Sequence, residues 1–311
     1  MKRVQNRVAE SRYALPLVAA YALGVWGACG LLQQQWWVHL ACFSLSAFLV
    51  VVLSTINALI RIYSRMVSCV FLVLSCTACF LFDSMGGAIV QLCFITSYIT
   101  LFHCYQDKQT PGWMYYTFLC IGLASTLCVQ ILYFVPFLWL LAKLQLNAMS
   151  WRSFTASLLG LLTPYWFAAG WLVWQGNVTP LKSHFSNLIQ FQKLCDYSQV
   201  TLSQVLVFAL VVVLAIIGSI HFWHRSYNDK IRTRQLYGFF TIMDLLTTIF
   251  LLLQPQHYDV LIRVLIINSA PLIAHFIALT HTKLTNIAFY VISMVCLLLT
   301  AYNVWMSSSI F

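Results

Sequence analysis

Long apolar runs separated by short polar stretches are the dominant pattern of this chain. About 20 apolar residues are needed for a helix to cross roughly 30 Å of hydrocarbon. Runs near this length occupy residues 14–31, 37–60, 66–82, 86–104, 154–174, 203–223, 235–253, 260–280 and 286–306. The pattern predicts an all-α, polytopic transmembrane helix bundle.

A further apolar run at 113–142 is too long for one straight crossing and short for two. Lys108 precedes it, and Lys143 and Arg152 follow it. Because basic flanks are typical of the cytoplasmic side, this run is expected to cross an even number of times. We predict a hairpin of two short helices turning near Gln130, or a re-entrant pair, which gives about 11 spans (10–11) in total.

The basic residues predict the orientation of the bundle. With the N-terminus in the cytoplasm, only Lys182, Lys193 and Arg263 of the 17 Lys and Arg residues fall on the outer side. This is the asymmetry that the positive-inside rule describes, and it places the C-terminus on the periplasmic side. Since topology already explains the net charge of +10, no nucleic-acid partner is predicted.

Composition agrees with a membrane environment, because 61% of residues are hydrophobic and only 8% are charged. We expect a single integral-membrane domain over 1–311. Its outward loop at 175–202 begins a helix-like stripe at Thr179 and Pro180, which predicts an amphipathic interfacial helix. This helix would be an anchoring connector or a lid over an outward cavity.

The 11 cysteines fall almost entirely within apolar runs, where Cys packs as a small apolar residue. Neither a metal nor another cofactor is predicted, because no second Cys pair or His cluster accompanies Cys76 and Cys79.

Asp244 is the clearest ionisable residue predicted to lie inside the membrane. A charge at that depth costs about 2.5–3.5 kcal/mol on insertion scales and needs a partner. The next helix carries Asn268 and His275, which bracket the depth of Asp244. These three residues are a candidate intramembrane polar site, either as interhelical structural contacts or as a proton or ligand site.

A second candidate site faces outward. Arg263, His257 and Lys182 could hold a lipid phosphate or pyrophosphate, because arginine and lysine both bind such anions. The alternative is a helix-surface ion pair between Asp259 and Arg263, which are spaced i, i+4. On the cytoplasmic side, contacts with anionic headgroups are expected for Arg61, Arg65, Arg232 and Arg234.

Several short motifs resemble those of an uncharacterised family of polytopic inner-membrane proteins of Bacteroidetes. They include Arg61-Ile62-Tyr63-Ser64-Arg65, Pro136-Phe137-Leu138-Trp139, Trp151-Arg152, Pro164-Tyr165-Trp166, Lys230-Ile231-Arg232-Thr233-Arg234 and residues 268–276. The likeness covers most of the chain. It implies a bacterial cytoplasmic-membrane location and an all-helical fold, and it carries no established activity.

Two classes of function remain open at this point. One is an envelope-biogenesis protein that handles a lipid or a polyprenyl-linked substrate such as a lipid-linked sugar. The first outward loop, at residues 31–37, lacks the acid that polyprenyl-dependent glycosyltransferases place there. The other class is a non-enzymatic carrier or a structural or assembly partner. For either class, membrane lipids are the predicted partners.

Overall fold

The computed structural model describes residues 3–176, 179–189, 195–198 and 200–308. Within these ranges the regular elements are all helices. In chain order the α-helices are α1 (Val4–Glu10), α2 (Ala14–Ala28), α3 (Leu31–Gln34), α4 (Trp37–Ile56), α5 (Met66–Thr77), α6 (Met85–His103), α7 (Pro111–Leu127), α8 (Val135–Leu144), α9 (Trp151–Trp174), α10 (Thr179–Ile189), α11 (Leu202–Arg225), α12 (Ile231–Leu253), α13 (Tyr258–Leu279) and α14 (Lys283–Ser308). Short 3₁₀ segments occur at Cys79–Leu81, Val129–Phe134, Ser226–Asn228 and Pro255–His257.

Seven of the described helices are long and apolar enough to cross a membrane: α4, α6, α9, α11, α12, α13 and α14. Shorter apolar helices occupy Ala14–Ala28, Met66–Thr77 and Val129–Leu144. The predicted all-helical fold and the fit to a membrane environment are thus confirmed. The larger number of about 11 crossings stays a prediction, because the shorter helices do not reach across a bilayer by length alone.

The chain divides into two compact units. The first contains Met1–Ala88 and Tyr197–Phe311, and the second contains Ile89–Asp196. In the first unit α13 is the central helix, since 94% of its apolar window is buried inside the protein, against 11% for α14. A helix that is apolar on all sides belongs in the interior, whereas α14 presents its side chains to the surroundings.

The N-terminal helix α1 closes one end of α13. Gln5 Nε2 donates to the carbonyl oxygen of Ile277 at 2.6 Å and lies 2.7 Å from Thr280 Oγ1. Asn6 Nδ2 donates to the carbonyl oxygen of Thr280 at 3.0 Å. The last carbonyls of a helix have no partner within it, so these side-chain amides supply hydrogen bonds that α13 cannot make by itself.

Other contacts bring two further connections of the first unit, α4–α5 and α11–α12, to this same end. Arg232 Nη2, at the start of α12, donates to Asn57 Oδ1, at the end of α4, at 2.9 Å. His275 Nε2 lies 3.0 Å from Oδ2 of Asp229, which precedes α12. We call this the basic end, because it collects Arg3, Arg7, Arg12, Arg61, Arg65, Arg225, Lys230, Arg232, Arg234 and Lys283.

Hydrogen bonds at the opposite end of the first unit join the remaining helix termini. Ser84 Oγ, just before α6, donates to Asp259 Oδ2 at 2.5 Å. The hydroxyl of Tyr258 donates to the carbonyl oxygen of Gln204, near the start of α11, at 2.8 Å. These bonds bring the start of α6 and the start of α11 to the first turn of α13.

In the second unit the 113–142 region forms two helices, α7 and α8, joined by a 3₁₀ segment. The backbone N–H of Gln106 donates to the carbonyl of Leu146 at 2.8 Å, and Ser150 Oγ donates to the carbonyl of Lys108 at 3.0 Å. These bonds place the chain entering α7 beside the chain leaving α8, which makes the pair an antiparallel hairpin. Whether this hairpin spans the bilayer twice stays a prediction.

Helix α10 coincides with the predicted amphipathic segment, although residues 177–178, 190–194 and 199 of that loop lie outside the described part. His184 Nε2 of α10 lies 3.0 Å from the carbonyl oxygen of Ser125, and the hydroxyl of Tyr133 donates to the carbonyl of Leu188 at 2.5 Å. The helix therefore packs against the 3₁₀ connection of the hairpin. Its location at the membrane surface stays a prediction, as does the single domain expected over 1–311.

Helices α7 and α9 approach each other through two glycines. A Cβ atom on Gly122 would lie 2.8 Å from the carbonyl oxygen of Leu161, and one on Gly160 would collide with the carbonyl oxygen of Tyr115. Small residues allow such close backbone contact between helices that gain no hydrophobic energy from meeting in lipid.

We predict that Gly160→Ala lowers the melting temperature of the purified protein, because the added methyl overpacks the contact at a cost of about 1–3 kcal/mol. Gly170→Ala, in the same helix, is the matched control because nothing lies within 4 Å of its Cβ position. Thermal unfolding in one detergent compares the two. Equal melting temperatures for both variants would contradict the close packing of α7 on α9.

Candidate functional site

Asp244 lies on α12 and is buried, with 8% of its surface exposed. Its Oδ1 is 2.6 Å from Ser269 Oγ of α13, and the same hydroxyl is 2.7 Å from the carbonyl oxygen of Leu265. Ser269 Oγ donates to Asp244 Oδ1 and to the carbonyl oxygen of Leu265, so this hydroxyl joins α12 to α13.

Asn268 is fully buried beside this contact. Its Nδ2 donates to Thr247 Oγ1 at 3.4 Å, and the hydroxyl of Thr247 donates to the carbonyl oxygen of Met243 at 2.6 Å. Asp244 and Thr247, one turn apart on α12, thus face Asn268 and Ser269 on α13. The structure places Asp244 and Asn268 at the same interface, where the interhelical contact of Asp244 is with Ser269.

His275 belongs to a different polar cluster. It lies six positions after Ser269, which is about 9 Å along a helix at 1.5 Å per residue. Its partner is Asp229, whose side chain is 3% exposed while that of His275 is 1% exposed. The ring of His221 on α11 lies 5.4 Å from the His275 ring, and that of Tyr237 lies 5.0 Å from it.

No pattern in the sequence identifies Asp229 or His221 as a partner of His275. Asp229 stands among basic residues in a polar connection, which is typical of a solvated loop. The short 3₁₀ segment Ser226–Asn228 turns the chain so that Asp229 enters the interior instead. The imidazole of His275 and the carboxylate of Asp229 form a hydrogen-bonded pair, which joins the loop between α11 and α12 to α13.

The outward set is arranged around Arg263, which is 7% exposed. Its Nη2 donates to the carbonyl oxygen of Leu81, and its Nε lies 3.9 Å from Asp259 Oδ1. A Cβ atom on Gly87 would come within 2.6 Å of Nε, so this glycine leaves room for the guanidinium. Arg263 therefore joins the connection before α6 to the first turn of α13.

The other two members of the outward set are His257 and Lys182. His257 is half-buried at the end of the 3₁₀ segment before α13. Lys182 is exposed on α10, which belongs to the second unit. The i, i+4 pair of Asp259 and Arg263 is present, and the use of Arg263, His257 and Lys182 for an anionic ligand stays a prediction.

The four arginines that the sequence predicts to be cytoplasmic differ in their surroundings. Arg232 is engaged with Asn57, whereas Arg61 and Arg234 are exposed. Arg65 is half-buried, and its Cζ lies 5.9 Å from the centre of the Tyr63 ring. Within the described residues, no carboxylate or other acceptor pairs with the Arg65 guanidinium.

Arg65 also lines a cavity of about 330 Å³, which we call the α2–α4–α5 groove. Its lining includes Leu15, Trp26, Phe43, Val51, Arg65 and Leu72. Apart from Arg65 and Ser44 the lining residues are apolar, so the groove combines a hydrocarbon-like wall with one cation. Trp26 fixes the far end, because its ring stacks on Phe82 at 3.9 Å and packs against Phe43 at 5.5 Å.

Comparison of the chain with known protein families, curated proteins and solved structures gives no match. Over the described residues, no group of three or more His, Cys, Asp or Glu side chains has the geometry of a metal site. The function is therefore inferred from the arrangement of the residues themselves.

We predict that Asp229 and His275 are energetically coupled. Removing either partner leaves a buried polar group unpaired, so Asp229→Ala and His275→Ala should each destabilise the protein. The double variant should cost less than the sum of the two, by about 1.5–3 kcal/mol for a hydrogen bond to a charged group. A double-mutant cycle of unfolding free energies measures this difference, and additive costs would show that the contact contributes nothing.

Proposed function

We propose that this protein is a multi-pass protein of the bacterial cytoplasmic membrane that binds a phosphate-bearing lipid in the α2–α4–α5 groove. The observation that carries the proposal is Arg65, a guanidinium that lines an apolar cavity and has no carboxylate partner among the described residues. A lipid has the same two parts, an apolar chain and a charged headgroup. We place this binding in cell-envelope biogenesis, with a lipid or a polyprenyl-linked compound as the substrate.

The chemistry of arginine favours a phosphate headgroup. A guanidinium presents several N–H donors in a planar fork that matches the oxygens of a phosphate, and it is weakly hydrated for a cation. Arg232 and Arg263 have comparable chemistry, but their donors already serve Asn57 and the Leu81 carbonyl. Arg65 is therefore the member of this group best suited to an external anion.

Charge distribution supports the proposed orientation. Ten Lys and Arg residues collect at the basic end of the first unit, and Arg263 is the one described Lys or Arg of that unit at the opposite end. In bacterial membrane proteins the positively charged connections remain in the cytoplasm. We accordingly place the N-terminus, the basic end and Arg65 on the cytoplasmic side, and the start of α11 on the periplasmic side.

An accessibility experiment tests this orientation. Cys195 is exposed and precedes α11, so an impermeant thiol reagent added to spheroplasts should label it. In a Cys195→Ser background, Ser226→Cys should be labelled only after the membrane is permeabilised, because residue 226 lies at the basic end. The reverse pattern would overturn the orientation.

Arg65→Gln tests the lipid site itself. We expect binding of a phosphate-bearing lipid to weaken about tenfold, since a charge-assisted hydrogen bond contributes about 1.5–3 kcal/mol. Arg61→Gln is the matched control, because it removes the same charge from the same connection outside the groove. Native mass spectrometry of the purified protein with dioleoyl phosphatidic acid gives the two dissociation constants. Equal constants for the two variants would reject Arg65 as the headgroup ligand.

A further inference from the structure

A second apolar cavity lies on the other side of α2 and α5. It measures about 300 Å³, and we call it the α2–α5–α14 groove. Its defining residues are Tyr13, Ala14, Met66, Val73, Ile277 and Phe289. It uses the side of α5 that the first groove leaves free, and α13 and α14 supply the remaining wall.

The two grooves begin side by side. Leu15 and Arg65 line the first, while their chain neighbours Ala14 and Met66 line the second. Neighbouring Cα atoms are about 3.8 Å apart, so both cavities reach the starts of α2 and α5, a region that we call the mouth. This mouth is at the basic end, where the phosphates of a membrane leaflet would lie if the proposed orientation holds.

Each groove is about as deep as one leaflet. The first follows α2 from Leu15 to Trp26, a rise of about 16 Å at 1.5 Å per residue. The second follows α5 from Met66 to Leu74, a rise of about 12 Å. Half of a hydrocarbon core roughly 30 Å thick is about 15 Å. Each groove can thus hold one chain that enters from the headgroup level and ends near the middle of the bilayer.

The mouth has a second cation besides Arg65. Arg12 is exposed and lies between Ser11 and Tyr13, which both line the second groove. Within the described residues, Arg12 and Arg65 have no carboxylate partner. Two arginines, one beside each groove, match a single anionic headgroup from which two chains diverge.

We infer that the ligand is a two-chain glycerophospholipid with an anionic headgroup, held with one acyl chain in each groove. This inference rests on the proposed lipid-binding function and names its substrate class. A single-chain polyprenyl phosphate would fill one groove and leave the other open to water or to bulk lipid. A two-chain lipid buries apolar surface in both grooves while its phosphate reaches the arginines.

The experiment compares one-chain and two-chain ligands on the full-length protein in detergent. The probes are dioleoyl phosphatidic acid, its one-chain oleoyl lyso form and undecaprenyl phosphate, with dissociation constants from native mass spectrometry. Ala19→Phe fills the first groove and Ser293→Phe fills the second, because both small residues are half-buried lining positions. Ala20→Phe, an exposed neighbour of Ala19 outside both grooves, is the control.

Wild-type protein should bind the two-chain lipid at least tenfold more tightly than either one-chain probe. Both filling variants should weaken the two-chain lipid about tenfold or more, and Ala20→Phe should not. If Ala19→Phe and Arg65→Gln weaken binding while Ser293→Phe does not, or if one-chain probes bind as tightly, the two-chain inference is refuted and the lipid-binding proposal stands. If no variant changes any constant, both are refuted.

Folding is checked by melting temperature and size-exclusion profile for each variant. Where a phenylalanine prevents folding, Ala19→Leu and Ser293→Leu fill the same grooves with less bulk and are expected to give the same pattern with smaller losses. If each leucine variant weakens the one-chain probes as much as it weakens the two-chain lipid, the two-chain inference is also refuted.

Discussion

Every polar side chain on the central helix needs a partner, and this requirement organises the first unit. Water is absent from a hydrocarbon core, so an unsatisfied donor or acceptor costs several kcal/mol there. Along α13, Arg263, Ser269 and His275 each reach a different neighbour: the connection before α6, helix α12 and the connection before α12. The C-terminal carbonyls of α13 are then covered by Gln5 and Asn6. One buried helix thereby fixes the register of the elements around it.

Sequence periodicity predicts the helices of this protein closely because lipid removes most competing structures. Only helices satisfy their own backbone within a single segment, so an apolar run of sufficient length has few alternatives. The run at 203–223 corresponds to Leu202–Arg225, and the run at 260–280 corresponds to Tyr258–Leu279. The number of crossings is harder to predict, because α2, α5 and α8 are short and their placement depends on neighbours that hydropathy does not describe.

Partner identity is the part of the candidate site that sequence could not supply. Burial of Asp244, Asn268 and His275 follows from their positions in apolar runs, and all three are buried. Their partners lie on other helices and are common residue types: Ser269, Thr247 and the loop residue Asp229. A serine within a helix has no pattern that separates an interhelical donor from one bonded to its own backbone. The pairing depends on the rotation and depth of two helices, which a one-dimensional pattern does not encode.

The hydrogen-bond partners of the arginines separate these residues by role. An arginine whose donors serve protein carbonyls or amides contributes to the architecture, as Arg263 and Arg232 do. Arg65 immediately precedes α5, where the chain passes from a polar connection into an apolar helix, and it lines the α2–α4–α5 groove. In the proposed function, a phosphate pairs with this cation while the apolar chain of the same lipid fills the groove. The apolar walls and the cation thus support the same proposed ligand through separate interactions, and neither would select it alone.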